Sequence, residues 1–178
     1  MGIVARHWLP SAAVVAQERG PEFLGPVDGA EWTDGIGFYR GFFTSFRIRA
    51  GKTVWFHWPL PTPVEHDGRP LLLDSVSLLW ETGEGARIGW IVAQHGGMER
   101  LPLTERLAEP PSVAVPHEVA EADRPYHPQG ERRLTELTLS PRLPLRFGVQ
   151  LCVMVSAEPG CDGMIRFYGA GAAFADSP

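Results

Sequence analysis

Hydrophobic and polar residues alternate along the chain over several segments of strand length. In residues 145–155 the odd positions are all apolar, whereas the even positions include Arg146, Gly148 and Gln150. A period of two places alternate side chains on opposite faces of a strand, so this segment predicts a strand with one face on a core. No helix would gather the odd positions on one side.

The same alternation recurs at residues 42–48, 54–58, 76–80 and 86–92, and more weakly at 3–8, 12–17, 37–41 and 134–139. Roughly eight to ten short strands separated by turns are typical of a sandwich or barrel. We therefore predict an all-β fold, an antiparallel β-sandwich of jelly-roll-like form, with an up-and-down barrel as the main alternative.

Turn residues between these segments predict two hairpins. The turn at residues 158–163 would join 145–155 to 164–175, and the turn at 81–85 would join 76–80 to 86–92. In the first hairpin Cys152 would lie opposite a residue near Phe167. The glycines and alanines at 169–173 suggest a strand that another element approaches closely.

Residues 104–133 interrupt the pattern because they are polar and rich in proline. A loop of this length inside a compact domain is uncommon. We expect one domain over residues 1–178, in which this insertion serves either as a lid or partner-binding arm or as a plain surface loop. Thr104 could cap a helical turn at 104–108.

Composition narrows the range of partners and compartments. The chain has 178 residues, of which 44% are hydrophobic, enough for a sizeable core. A net charge of −5 gives no general attraction to nucleic acid. The sequence shows neither a membrane-spanning apolar stretch nor a signal peptide, so we expect a cytoplasmic protein. The two cysteines, Cys152 and Cys161, are expected to be free thiols.

The segment at residues 55–64 is the most unusual in the sequence. Prolines at every second position from Pro59 to Pro63 remove backbone donors, so we expect the strand to leave the sheet after Trp58. Trp55 and His57, opposite Phe56, could form an aromatic ligand platform. The alternative is that the segment ends a strand and protects an edge.

These residues carry a family resemblance. Trp55-Phe56-His57, followed by Pro61-Thr62-Pro63-Val64 and a turn at Asp67-Gly68, resembles the motif of an uncharacterised bacterial family of small β-sandwich proteins. The resemblance extends weakly over about half of the chain. The chain departs from the family at its N-terminal start and at His95-Gly96-Gly97, where the family has Asp-Gly. The resemblance implies a sandwich and no particular activity.

Metal or cofactor binding is not predicted. The six histidines and two cysteines show no His-x-His, His-x-x-x-His or Cys-x-x-Cys spacing, which metal sites commonly use. Scattered Asp-Gly pairs are explained by turn chemistry before calcium binding. We therefore expect no metal site and no cofactor.

Two hypotheses of function follow from these residues. The first is a non-catalytic binding or structural interaction module for a carbohydrate, peptide or protein subunit, using Trp55, His57 and Trp58 with Trp32 and Tyr39. Homo-oligomerisation is a further expectation. The second is a small cyclase- or isomerase-like enzyme that holds a hydrophobic substrate in an apolar cavity, with His57 as the general acid or base.

Overall fold

A computed structural model describes residues 2–27, 43–116 and 131–177, together with the backbone of a short strand at 38–39. Fourteen strands occur in these parts of the chain: β1 (Ile3–Pro10), β2 (Val15–Ala16), β3 (Leu24–Gly25), β4 (Phe38–Tyr39), β5 (Thr44–Ile48), β6 (Thr53–Leu60), β7 (Glu65–His66), β8 (Arg69–Thr82), β9 (Ala86–His95), β10 (Glu99–Pro102), β11 (Val113–Ala114), β12 (Arg133–Pro144), β13 (Val149–Ala157) and β14 (Gly163–Asp176). A short 3₁₀ helix, Ser11–Ala13, follows β1.

The strands form two antiparallel sheets. Sheet A has the order β11-β12-β8-β14-β5-β3, with β1 paired to β14, β4 to β5 and β7 to β8. Sheet B has the order β10-β9-β13-β6-β2. The two sheets pack against each other, so the predicted antiparallel β-sandwich is confirmed.

Aromatic side chains from both sheets meet in the core. Phe46 and Phe167 of sheet A contact Phe56 and Trp58 of sheet B, with ring centroids 4.8 to 5.9 Å apart. All four side chains are fully buried. Burial of such large apolar surfaces is the main stabilising contribution to a sandwich of this kind. The alternation in β6 therefore predicted the core-facing side correctly.

Both predicted hairpins are wrong, because their strands belong to different sheets. β8 lies in sheet A and β9 in sheet B, while β13 lies in sheet B and β14 in sheet A. The turns that join them therefore cross between the layers. As a consequence Cys152 lies opposite His57 on β6 and Val92 on β9, and not opposite Phe167.

Some predicted boundaries also need correction. β6 continues two residues beyond Trp58, and Pro59 remains paired with Gln150 of β13. Phe147 is 52% exposed, because it precedes β13 and lies outside the alternating strand. Only Val15 and Ala16 of the predicted strand at 12–17 are in a sheet.

The insertion is held in place where the structure describes it; residues 117–130 lie outside the described parts. The turn that was possible at 104–108 is not helical: the Ala108 N–H donates to the Glu105 carbonyl, but Leu107 has a positive φ of 66°. The Thr104 hydroxyl accepts a hydrogen bond from the backbone N–H of Ile91. The Leu107 N–H donates to the carbonyl of Gly89, 2.5 Å away. The start of the insertion is thus fixed along β9.

The structure bears on two further expectations. Cys152 and Cys161 are both free thiols, as predicted. No helix within the described residues is long and apolar enough to cross a membrane.

Candidate functional site

A groove crosses the outer face of sheet A. Glu136 of β12 lies opposite Ser77 of β8, Ser77 lies opposite Gly171 of β14, and Gly171 lies opposite Trp8 of β1. Neighbouring strands are about 4.8 Å apart, so this row of four residues spans about 14 Å. Its two ends carry large side chains, and its centre carries small ones.

The small residues explain how Trp8 is held. A Cβ atom at Gly169 would lie 2.5 Å from Trp8 Nε1, and one at Gly171 would lie 2.7 Å from Trp8 Cε3. Atoms from both rings of the indole therefore rest on the glycine backbone of β14. One face of the ring packs on the sheet, and Trp8 remains 49% exposed. The expectation that another element closely approaches the glycine-rich strand is confirmed.

Polar groups surround the exposed indole. The groove has a volume of about 380 Å³ and is lined by Arg6, His7, Trp8, Ser75, Ser77, Leu79, Val115, Leu134, Glu136, Gly171, Ala172 and Ala173. Within it the Ser77 hydroxyl donates to Glu136 Oε1 at 3.4 Å. The groove thus combines an open aromatic face with hydroxyl, carboxylate and guanidinium groups, which suits binding of a polar ligand with one apolar side.

The described lining of the groove includes two serines, one histidine and one carboxylate. Glycoside hydrolysis in most families uses two carboxyl groups that flank the scissile bond. Glu136 is the single carboxylate among the described residues that line the groove. Nucleophilic catalysis needs a serine or cysteine beside a base. The Ser77 hydroxyl donates to Glu136 at the long distance given above, and His7 Nδ1 lies 2.8 Å from the carbonyl oxygen of Pro61.

The residues predicted from the sequence lie elsewhere. Trp55 and His57 are half-buried on the outer face of sheet B. Trp58 is fully buried between the sheets, so its prediction as part of an exposed surface is wrong: it alternates with Trp55 and His57 and faces the core. Trp32 lies outside the described residues, and only the backbone of Tyr39 is described. Among the predicted residues whose side chains are described, Trp55 and His57 share the outer face of sheet B.

Other side chains and the insertion cover much of this face of sheet B. Trp55 contacts Trp90 of β9 with ring centroids 5.6 Å apart. The guanidinium of Arg106, from the insertion, lies 5.4 Å from the centre of the Trp90 ring. Met154, on the same face, is buried. The aromatic residues here contact one another and the insertion, and they do not present a flat open platform.

His57 is paired with Cys152, a partner that sequence analysis did not find. His57 Nδ1 lies 3.2 Å from Cys152 Sγ and accepts a hydrogen bond from the Gln150 side-chain amide at 2.7 Å. His57 Nε2 lies 2.9 Å from Gln17 Oε1. These contacts agree with a neutral imidazole that donates from Nε2 and accepts at Nδ1.

Burial favours the neutral form of both partners. It lowers the pKa of His57, against an opposing effect of the nearby Glu18 charge. It raises the pKa of the Cys152 thiol, against the Gln150 hydrogen bond and the charge of Arg100. A reactive cysteine needs thiolate character and access, but Cys152 is only 1% exposed. The pair therefore fits a structural role, in which its side-chain contact links β6 and β13 of sheet B.

Metal binding has no support in the described parts of the chain. No group of three histidine, cysteine, aspartate or glutamate residues is placed there so that it could hold a metal ion. The His57–Cys152 pair supplies two such donors, whereas structural zinc sites use four.

The residues of the groove were missed because they are distant in sequence. Trp8 and Gly171 are neighbours only through the pairing of β1 with β14. One signal was available: Gly169 and Gly171 are spaced by two, so both lie on one face of a strand and leave room for a large side chain. The sequence indicated the close approach but not the residue that makes it.

Comparison with known proteins does not assign this chain to a family. No protein-family model matches this chain, and no curated protein matches it. The resemblance to an uncharacterised bacterial sandwich family stays a prediction. The class that the structure defines is an antiparallel β-sandwich, which has an open groove beside Trp8 on the outer face of one sheet.

Proposed function

We propose that this protein is a non-catalytic binding module whose ligand is a carbohydrate held in the groove of sheet A. The observation that carries the proposal is the position of Trp8, which lies flat on Gly169 and Gly171 with its outer face open. The binding hypothesis from the sequence is kept, and its site moves from Trp55 to Trp8.

The chemistry of the groove matches that of a sugar. A pyranose ring has a face of C–H groups that stacks on the electron-rich face of an indole. Its hydroxyl groups would meet Ser75, Ser77 and Glu136 on the neighbouring strands. Carboxylate acceptors form strong hydrogen bonds with hydroxyl donors. A width of about 14 Å, from three strand spacings, leaves room for more than one sugar ring.

The test is a panel of neutral oligosaccharides measured by isothermal titration calorimetry. Trp8→Ala removes the stacking surface, and we expect it to weaken binding by about 2 kcal/mol, or about thirtyfold in Kd. Phe147→Ala is the matched control, because Phe147 is an equally exposed aromatic residue outside the groove. This control should bind like the wild type.

Two outcomes would contradict the proposal. One is that the wild-type protein binds no oligosaccharide but does bind a peptide or a second protein chain. The other is sugar binding that survives Trp8→Ala and is lost in Trp55→Ala. In the first case a peptide or protein subunit, the other ligands considered from the sequence, would be the better candidate. A measurement of molecular mass in solution tests the expected homo-oligomer.

The enzyme hypothesis has less support than the binding hypothesis. Both ring nitrogens of His57 are engaged by Cys152, Gln150 and Gln17. A general acid or base must reach the reacting atom of a substrate, and these contacts would first have to break. We expect His57→Ala to leave carbohydrate binding unchanged.

A further inference from the structure

A second cavity lies at an open side of the sandwich, between β10 of sheet B and the end of β12 of sheet A. It has a volume of about 350 Å³ and is lined by Leu101, Pro102, Leu103, Thr138, Leu139, Ser140, Pro141, Arg142, Leu143 and Pro144. We propose that this cleft binds a single hydrocarbon chain that ends in a carboxylate, that is, a fatty acid.

The first support is that the cleft is continuous with the core. Leu139 belongs to the buried core, and Leu101, Leu103 and Leu143 are partly buried and packed against it. The pairing between β12 and β8 shifts between Thr138 and Leu143, at the same place. A hydrocarbon chain there would cover apolar surface that water now contacts, which is a favourable change.

The second support is that the strands bordering the cleft are poorly suited to adding another strand. A peptide added to a sheet edge is held by regular main-chain hydrogen bonds. Pro102 on β10, and Pro141 and Pro144 on β12, have no backbone N–H to donate. Prolines of this kind protect sheet edges against pairing. The cleft is therefore poorly suited to a peptide that would bind as an added strand.

The third support is a guanidinium group among the cleft-lining residues. Arg142 donates from Nε to Asp74 Oδ1 at 2.6 Å, and its side chain is 31% exposed. Its other N–H groups have no partner in the parts of the chain that the structure describes. A guanidinium can form two parallel hydrogen bonds with a carboxylate. Arg142 can thus bind the head group while the leucines contact the chain.

The experiment compares decanoate with decanol, both below the concentration at which they aggregate. Binding is measured as displacement of a fluorescent fatty-acid probe. We expect the wild type to bind decanoate about tenfold more tightly than decanol. Arg142→Gln should abolish this difference by weakening decanoate alone. Failure of decanoate to bind, or equal binding of the two compounds by the wild type, would overturn the proposal.

The place of binding needs its own measurement. Leu103→Trp fills the cleft and should weaken decanoate binding at least about tenfold, whereas Met98→Trp adds the same side chain at an exposed site outside it and should have no effect. In the wild type, a spin-labelled fatty acid should broaden the methyl NMR signals of Leu101, Leu103, Leu139 and Leu143. Broadening confined to residues of the sheet A groove would overturn the assignment, and Trp8→Ala should leave decanoate binding unchanged.

Discussion

The outer faces of the two sheets carry similar residues but present them differently. On sheet A, Trp8 lies beside Gly169 and Gly171, and its indole remains half exposed over a groove. On sheet B, Trp55 lies against Trp90, and Arg106 of the insertion covers Trp90 in turn. Both outer faces carry aromatic residues, and the half-exposed Trp8 of sheet A lies beside an open groove.

The difference shows that residues on neighbouring strands decide how much of an aromatic ring remains exposed. Side chains directly opposite each other on adjacent strands are close enough to touch. Small neighbours leave the ring open, as serine and glycine do beside Trp8, whereas large neighbours use its surface for packing. The tryptophans in the sequence favoured sheet B, where Trp55 packs against Trp90.

Trp58 should give the largest change in stability among the tryptophans on the two faces of β6. Because its side chain is fully buried against Phe167, Trp58→Ala leaves a cavity in the core, and we expect a loss of about 3–5 kcal/mol in unfolding free energy. Trp55→Ala, on the other face of the same strand, should lower the unfolding free energy clearly less. Urea unfolding of both variants checks this. A loss for Trp55→Ala as large as that for Trp58→Ala would place Trp55 in the core as well.

A smaller effect is expected for Gly171→Ala. The added Cβ would lie 2.7 Å from the backbone oxygen of His7, so β1 or Trp8 must shift, at a cost of about 1–3 kcal/mol. Gly148→Ala is the matched control, since nothing lies within 4 Å of its Cβ position. Thermal unfolding measures the stability and calorimetry the sugar binding. If Gly171→Ala keeps wild-type stability and sugar binding, then Gly171 is not needed to hold Trp8 in place.

The smallest effect concerns pH and the His57–Cys152 pair. Since the folded state lowers the pKa of His57, the unfolded state binds more protons as pH falls below the ordinary histidine pKa of about 6.5, and stability decreases there. Since the folded state raises the pKa of Cys152, stability also decreases as pH rises past the ordinary thiol value. Urea unfolding at pH 5.5, 7.5 and 9.5 should therefore show a maximum at the middle value.

Substitution tests whether this pair is the source of the acid-side decrease. His57→Gln removes the titrating group, so the change between pH 7.5 and 5.5 should become smaller. His66→Gln is the control, because His66 is an exposed residue on the short strand β7, and it should keep the wild-type change. An unaltered pH profile in His57→Gln would show that another group is responsible.

The sequence predicted which way residues face better than which strands pair. Alternation identifies the core side of a strand because side chains point to opposite faces in turn, and Phe56 and Val153 are buried as that rule requires. The rule does not specify the partner strand. A turn such as residues 81–85 can close a hairpin or cross between sheets, and packing across the core decides between them.

The candidate site was less predictable than the fold. His57 and Cys152 are 95 positions apart, and their hydrogen bond depends on the register of β6 against β13. Trp8 meets Gly171 only after β1 pairs with β14. Such contacts need the three-dimensional register, because local pattern carries no information on distant pairing. The glycine spacing in β14 was the one local signal that pointed to the groove.

Fluorine NMR can show whether the ligand proposed for the groove binds over Trp8 of sheet A. The chain has six tryptophans, each of which gives its own signal when 5-fluorotryptophan is incorporated, and single Trp→Phe variants assign the signals of Trp8 and Trp55. On titration with the tightest-binding oligosaccharide, the Trp8 signal should move and the Trp55 signal should stay. Movement of the Trp55 signal with an unchanged Trp8 signal would contradict the account.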